Sequence, residues 1–209
     1  MTTVQENYAQ AARAAVALLR EPAVAAAWDQ PSALPEFSVR GLAGHLGSQV
    51  LHVSRLLAGE PPEAAPLSFA EFFTAAAFET GIDSEINIRI REGGESAAAD
   101  GSEALADAVE SALGEQRTTV LAESAERVVA FAAGPMRLGD FLLTRMMEIA
   151  VHSDDLATSV GIATPRLPAE VIEPVVDLLT RQALRRHGQA AVLRALSRAE
   201  RAPTTITAI

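Results

Sequence analysis

The chain of 209 residues is long enough for one domain with its own hydrophobic core, so neither a disulfide nor a structural metal is required by size alone. Its 27 acidic and 17 basic residues leave a formal charge of −10, and the bases include no lysine, which argues against nucleic acid as a partner because no basic patch stands out. There is no cysteine, so disulfides, thiolate metal sites and a protein thiol nucleophile are excluded, and any thiol chemistry needs an external thiol.

The apolar content, 49% of residues with only 4% aromatic, is carried by Ala, Leu and Val and favours helices. Val4, Tyr8, Ala11, Ala12, Ala15, Val16, Leu18 and Leu19 recur at helical spacing and predict a first helix within residues 3–27, broken or kinked near Glu21 by Pro22. Past a Pro-rich loop, Ser38 can cap a second helix running to about Ala58, where Gly59 and Pro61-Pro62 stop it. Ser68 can cap a third through about Thr80. The stretch 81–101 mixes β-branched residues with Gly, and its conformation is left open. Ser102 and Glu103 precede a fourth helix over residues 104–121. Arg127 to Phe131 reads as a short strand and Gly134-Pro135 as the turn after it.

A fifth helix begins at Leu138 and ends at Gly161. A sixth has Pro168 in its first turn and runs to about Arg186, where His187-Gly188 separates it from a shorter helix over residues 188–199. The TTITAI end has strand-like composition. No repeat or composition shift divides the chain, so one mainly α domain over residues 1–209 is expected. The N-terminus lacks a basic leader followed by an apolar core, and no stretch approaches the roughly 20 apolar residues of a membrane span. A cytoplasmic protein with no membrane partner is expected.

Two helices carry the chemistry. In the fifth, Leu138, Phe141, Leu142, Met146, Ile149 and Leu156 form one apolar stripe at about 100° per residue, and Glu148 and His152 project beside it. A carboxylate entering an apolar interface must find a partner or lose its charge. Spacing of i and i+4 stacks the two side chains, as a two-ligand metal clamp requires, but it equally suits a solvated pair or a buried hydrogen-bonded pair without metal. In the second helix, Val39, Leu42, Leu46, Val50, Val53 and Leu57 form the stripe, with His45, Gln49 and His52 along one flank. A bundle would bring these flanks together and supply the further ligand from His45 or His52. Tyr8 and Trp28 are expected to serve packing, and His187 a surface turn.

SVRGLAGHLGSQVLH and LGDFLLTRMMEIAVHSDDLA resemble the two motifs of the mycothiol-dependent maleylpyruvate isomerase family, within the DinB-like superfamily. GPMRLGDFLLTR and HGQAAVLRALSRAERAP resemble the surroundings of those motifs, so the likeness covers nearly the whole chain. The resemblance implies a DinB-like four-helix bundle with additional short helices and a minor β element. It also implies zinc held by a His preceding Leu on the second helix and by a later Glu-x-x-x-His, which fall on His45, Glu148 and His152. By this criterion His45 is expected to be the ligand and His52 its competitor. Asp154 and Asp155 follow the helix ligands, and Asp155, which matches a family Asp, is expected to support a ligand or pair with an Arg rather than coordinate. Gln49, His52 and Arg145 are the candidates for contact with the thiol.

The family's isomerase carries a further C-terminal domain with a functional Arg, which this chain is expected to lack, leaving Arg145 or a C-terminal Arg to form part of an anion site. Two imidazoles and a carboxylate leave zinc an open position, as in catalytic rather than closed sites. With mycothiol as the implied thiol, attack on a small electrophile would give S-transfer if the adduct persists and isomerisation if the thiol is expelled. The other expectation is a metal- or ligand-binding bundle without turnover. The sequence leaves room for a homodimer.

Overall fold

The computed structural model describes residues 2–75 and 83–209. Helix α1 (Val4–Leu19) opens on a reciprocal cap: the Thr3 side chain accepts from the Glu6 backbone N–H while the Glu6 carboxylate accepts from the Thr3 N–H. Pro22 ends this helical run by starting a separate short helix, α2 (Pro22–Ala26), at whose first position its missing N–H costs nothing. Ser38 caps α3 (Val39–Leu57) by accepting from the Gly41 N–H, as its place before the apolar stripe suggested.

The third expected helix is present as α4 (Phe69–Ala75). Its expected continuation to Thr80 lies outside the described residues. The stretch left open contains a helix, α5 (Glu85–Ala97), whose interior Gly93-Gly94 obscured it in the sequence. Gly94 is there for contact with α3. A Cβ on Gly44 would lie 2.0 Å from the Gly94 carbonyl oxygen, and one on Gly94 would lie 2.2 Å from that of Gly41, so the two helices touch backbone to backbone. Glu95 adds a polar clasp, accepting from Ser38 Oγ at 2.5 Å and pairing with Arg40 Nε at 2.6 Å.

Helix α6 (Ser102–Ala122) leads to a hairpin of β1 (Val128–Phe131) and β2 (Gly134–Arg137), with Phe131 opposite Gly134. Gly134-Pro135 is therefore the start of the second strand rather than the turn. Ala132 and Ala133 form the connection, and Gly134 takes a φ of 132° that leaves room for Leu67. Helix α7 (Leu138–Ser159) follows directly. Helix α8 (Ala169–Ser197) is two helical pieces meeting at Gly188, whose φ of 79° makes the break expected from the sequence.

Helices α1, α3, α6 and α7 form the four-helix bundle, each packed on two of the others, with α5 on the outside of α3 and α8 against α7 and α1. Fully buried Tyr8 ties three of these helices: its hydroxyl donates to Gln116, whose amide in turn donates to Val50 O and Ser54 Oγ, each at 2.8 Å. Trp28 packs half-buried on the core.

The TTITAI end forms no strand. Ile209 instead packs on the core, and His187, half-buried rather than a free turn residue, donates from Nε2 to Thr207 O at 2.8 Å. Among the described residues, no helix is long and apolar enough to cross a membrane.

Candidate metal centre

The bundle places the inward flank of α3 against that of α7, and there His45, Glu148 and His152 meet. One donor atom from each lies within 4.8 Å of the other two, the grouping expected of three ligands to one ion. Glu148 Oε2 is 3.2 Å from His152 Nε2 and 3.5 Å from His45 Nε2, and the two rings meet edge to face with centroids 4.7 Å apart. Glu148 is 7% exposed, which removes the solvated-pair reading of the Glu-x-x-x-His motif.

Burial alone would raise the Glu148 carboxyl. Its contacts with the His152 and His45 imidazoles, with the positive charges of His152 and Arg145, outweigh it and hold the group well below the usual carboxylate range. Burial likewise opposes charge on His152, but hydrogen bonds to Asp155 and Glu148 and their negative charges lift it to about 9. His45 shifts the other way: burial dominates, Glu148 offsets it only in part, and the ring is held below its ordinary value.

The donor set fits a divalent ion. His152 Nδ1 lies 3.0 Å from Asp155 Oδ2, so the carboxylate takes the Nδ1 proton and turns Nε2 toward Glu148, an arrangement that metal-ligating histidines use repeatedly. Asp155 thus supports a candidate ligand without joining the cluster. Asp154 faces outward and accepts from Thr164 Oγ1 at 2.5 Å.

His52 stands outside the triad. It is half-buried, its Nδ1 has no partner among the described residues, and burial together with the charges of Arg145, Arg55 and His45 lowers it to about 4. Gln49 and Arg145 are engaged with each other: Arg145, only 4% exposed, donates from Nη1 to Gln49 Oε1, and Gln49 Nε2 reaches back to His45.

Several neighbours escaped the sequence reading. Phe131 and Phe141 each lie 5.0 Å from the Arg145 guanidinium carbon, Thr144 Oγ1 accepts from Arg145, and Phe37 stands 6.1 Å from the His45 ring. Helix α5 backs the same turn of α3, because a Cβ on Gly94 would sit 3.2 Å from the His45 nitrogen. Of these, Arg145 was expected from the sequence as a thiol or anion contact and Phe141 as part of the α7 stripe, while Phe131, Thr144 and Phe37 follow no such pattern.

A family model described as the mycothiol maleylpyruvate isomerase N-terminal domain matches residues 9–157, well over half of the chain. No curated protein and no solved structure matches it.

Proposed function

We propose, from the premise that the chain belongs to the mycothiol maleylpyruvate isomerase N-terminal domain family, that it is a metal-dependent enzyme using an external low-molecular-weight thiol, mycothiol, on a small electrophile. The reading is carried by one observation: His45 and His152 converge with buried Glu148 from two facing helices. These residues would hold a divalent ion, and zinc suits two imidazoles and one carboxylate. Zinc on such a set supplies Lewis acidity at an open position and favours the deprotonated form of a thiol at neutral pH.

The chain's own residues do the rest. Glu148 brings the single negative charge of the donor set, Asp155 keeps the His152 Nε2 lone pair directed inward, and the apolar walls of α3 and α7 limit water. With no cysteine in the chain, the nucleophilic sulfur must arrive with the cosubstrate. S-transfer and thiol-assisted isomerisation share this first attack and differ in whether the thiol leaves.

Metal analysis with a thiol and electrophile panel tests the reading. The expected result is close to one zinc per chain and thiol consumption in which mycothiol outperforms glutathione, both lost in His152→Ala. Metal uptake without consumption across the panel would leave a binding bundle that performs no turnover, and absence of metal would end the reading.

A further inference from the structure

We infer that Arg145 and Gln49 are positioning residues that fix which ring nitrogen of His45 lacks a proton, and that this choice sets the metal affinity of the site. The link to affinity rests on reading His45, Glu148 and His152 as metal ligands. The link to the tautomer does not.

A guanidinium has donors only, so the Gln49 atom against Arg145 Nη1 must be the carbonyl oxygen. The other end of the amide gives the same orientation independently. It lies 2.9 Å from the His45 backbone carbonyl, which only accepts, and must therefore be nitrogen. That NH₂ group, also donor-only, stands 3.2 Å from His45 Nε2. A proton on Nε2 would set two donors against each other, so neutral His45 carries its proton on Nδ1 and keeps a lone pair on Nε2.

The same Nε2 lies 3.5 Å from Glu148 Oε2. A carboxylate is an acceptor and, unopposed, would draw the proton onto Nε2 and occupy the lone pair a metal needs. Gln49 acts against that pull, and Arg145 prevents Gln49 from rotating its oxygen into the same place.

Arg145 is itself fixed. Thr144 Oγ1 donates to Phe141 O at 2.7 Å, which leaves the hydroxyl oxygen to accept from Arg145 Nε and Nη2 at 3.3 Å each, while the Phe131 and Phe141 rings flank the guanidinium. Donor direction is thus determined at every link from Phe141 to His45. Among the described residues no carboxylate lies within ion-pairing distance of this buried cation, and its hydrogen bonds go to Gln49 and Thr144.

Nitrogen-15 NMR of the imidazoles in metal-free protein reads the tautomer directly, and zinc competition against a chelator reads affinity. Wild type should show His45 with Nδ1–H. Arg145→Lys should keep it, since an ammonium also only donates, whereas Arg145→Met should shift His45 toward Nε2–H and weaken zinc about tenfold or more. Gln49→Glu puts an acceptor where the donor stood and should give Nε2–H, its charge matched by Arg145, so it decides the matter even if Arg145→Met folds poorly.

Nε2–H in wild type, or an unchanged tautomer in Gln49→Glu, would overturn the inference. A changed tautomer in Arg145→Met with wild-type zinc affinity would overturn the link to affinity. A wild type that binds no zinc would end the metal reading and that link together, while the NMR result would still decide the tautomer.

Discussion

The two sides of α7 differ in what their burial achieves. On one side, Glu148 enters the bundle between His45 and His152, and His152 is held in turn by Asp155. On the other, the neighbouring Val151 helps line a cavity of about 310 Å³ with Val176, Leu179, Ala183, Val192 and Ile206. The cavity has room for a small ligand but few polar groups to orient one. The triad has polar groups in a fixed arrangement. An apolar cavity does not by itself mark a site, since recognition and chemistry need directional groups.

The largest effect should come from the polar side. His152→Ala should lower zinc affinity by more than the tenfold to hundredfold that removing a ligand's outer partner typically costs. Circular dichroism should show an intact helical fold, and competition with a chelator measures the loss. Leu178→Ala, in the apolar packing of α8, should do the reverse. Denaturant unfolding should show a loss of about 3 kcal/mol, as for other large-to-small core changes, with zinc stoichiometry unchanged. If Leu178→Ala cost zinc binding as much as stability, the two sides would not be separable.

Asp155→Asn tests support for a ligand without removing one. It keeps the shape but loses the charge that holds the His152 Nδ1 proton, and zinc affinity should fall about tenfold.

The smallest effect concerns His52, beside the site but outside it. Its folded pKa of about 4 lies below the ordinary 6.5, so as pH falls the unfolded chain takes up the proton first. Its contribution to stability is full above pH 6.5 and is lost progressively toward pH 4. In chelator-treated protein, His52→Gln should flatten the fall of urea midpoint over that window. An unchanged slope would place His52 in a more solvated position.

The sequence was most informative where a helix serves its own core. The stripes of α3 and α7 predicted both helices within a residue or two, and the flanks beside them held all three residues of the triad. It was least informative where distant contacts decide. Gly93-Gly94 disfavours a helix locally, and only backbone contact of Gly94 with α3 makes α5 intelligible. Gly134-Pro135 has turn composition but lies in a strand opposite Ala130 and Phe131, while the β-rich TTITAI end forms no strand. At the site, the i,i+4 spacing paired Glu148 with His152. Which α3 histidine meets them, and that Arg145 is committed to Gln49 and Thr144, depend on how two helices rotate against each other, and no local pattern records that.

X-ray absorption at the zinc edge of the loaded protein decides whether the triad holds the ion, because it counts the imidazoles around it. Wild type should show scattering from two histidines with a carboxylate oxygen, His45→Ala from one histidine, and His52→Ala from two. No retained zinc, or a histidine count that drops with His52→Ala and not with His45→Ala, would contradict that assignment.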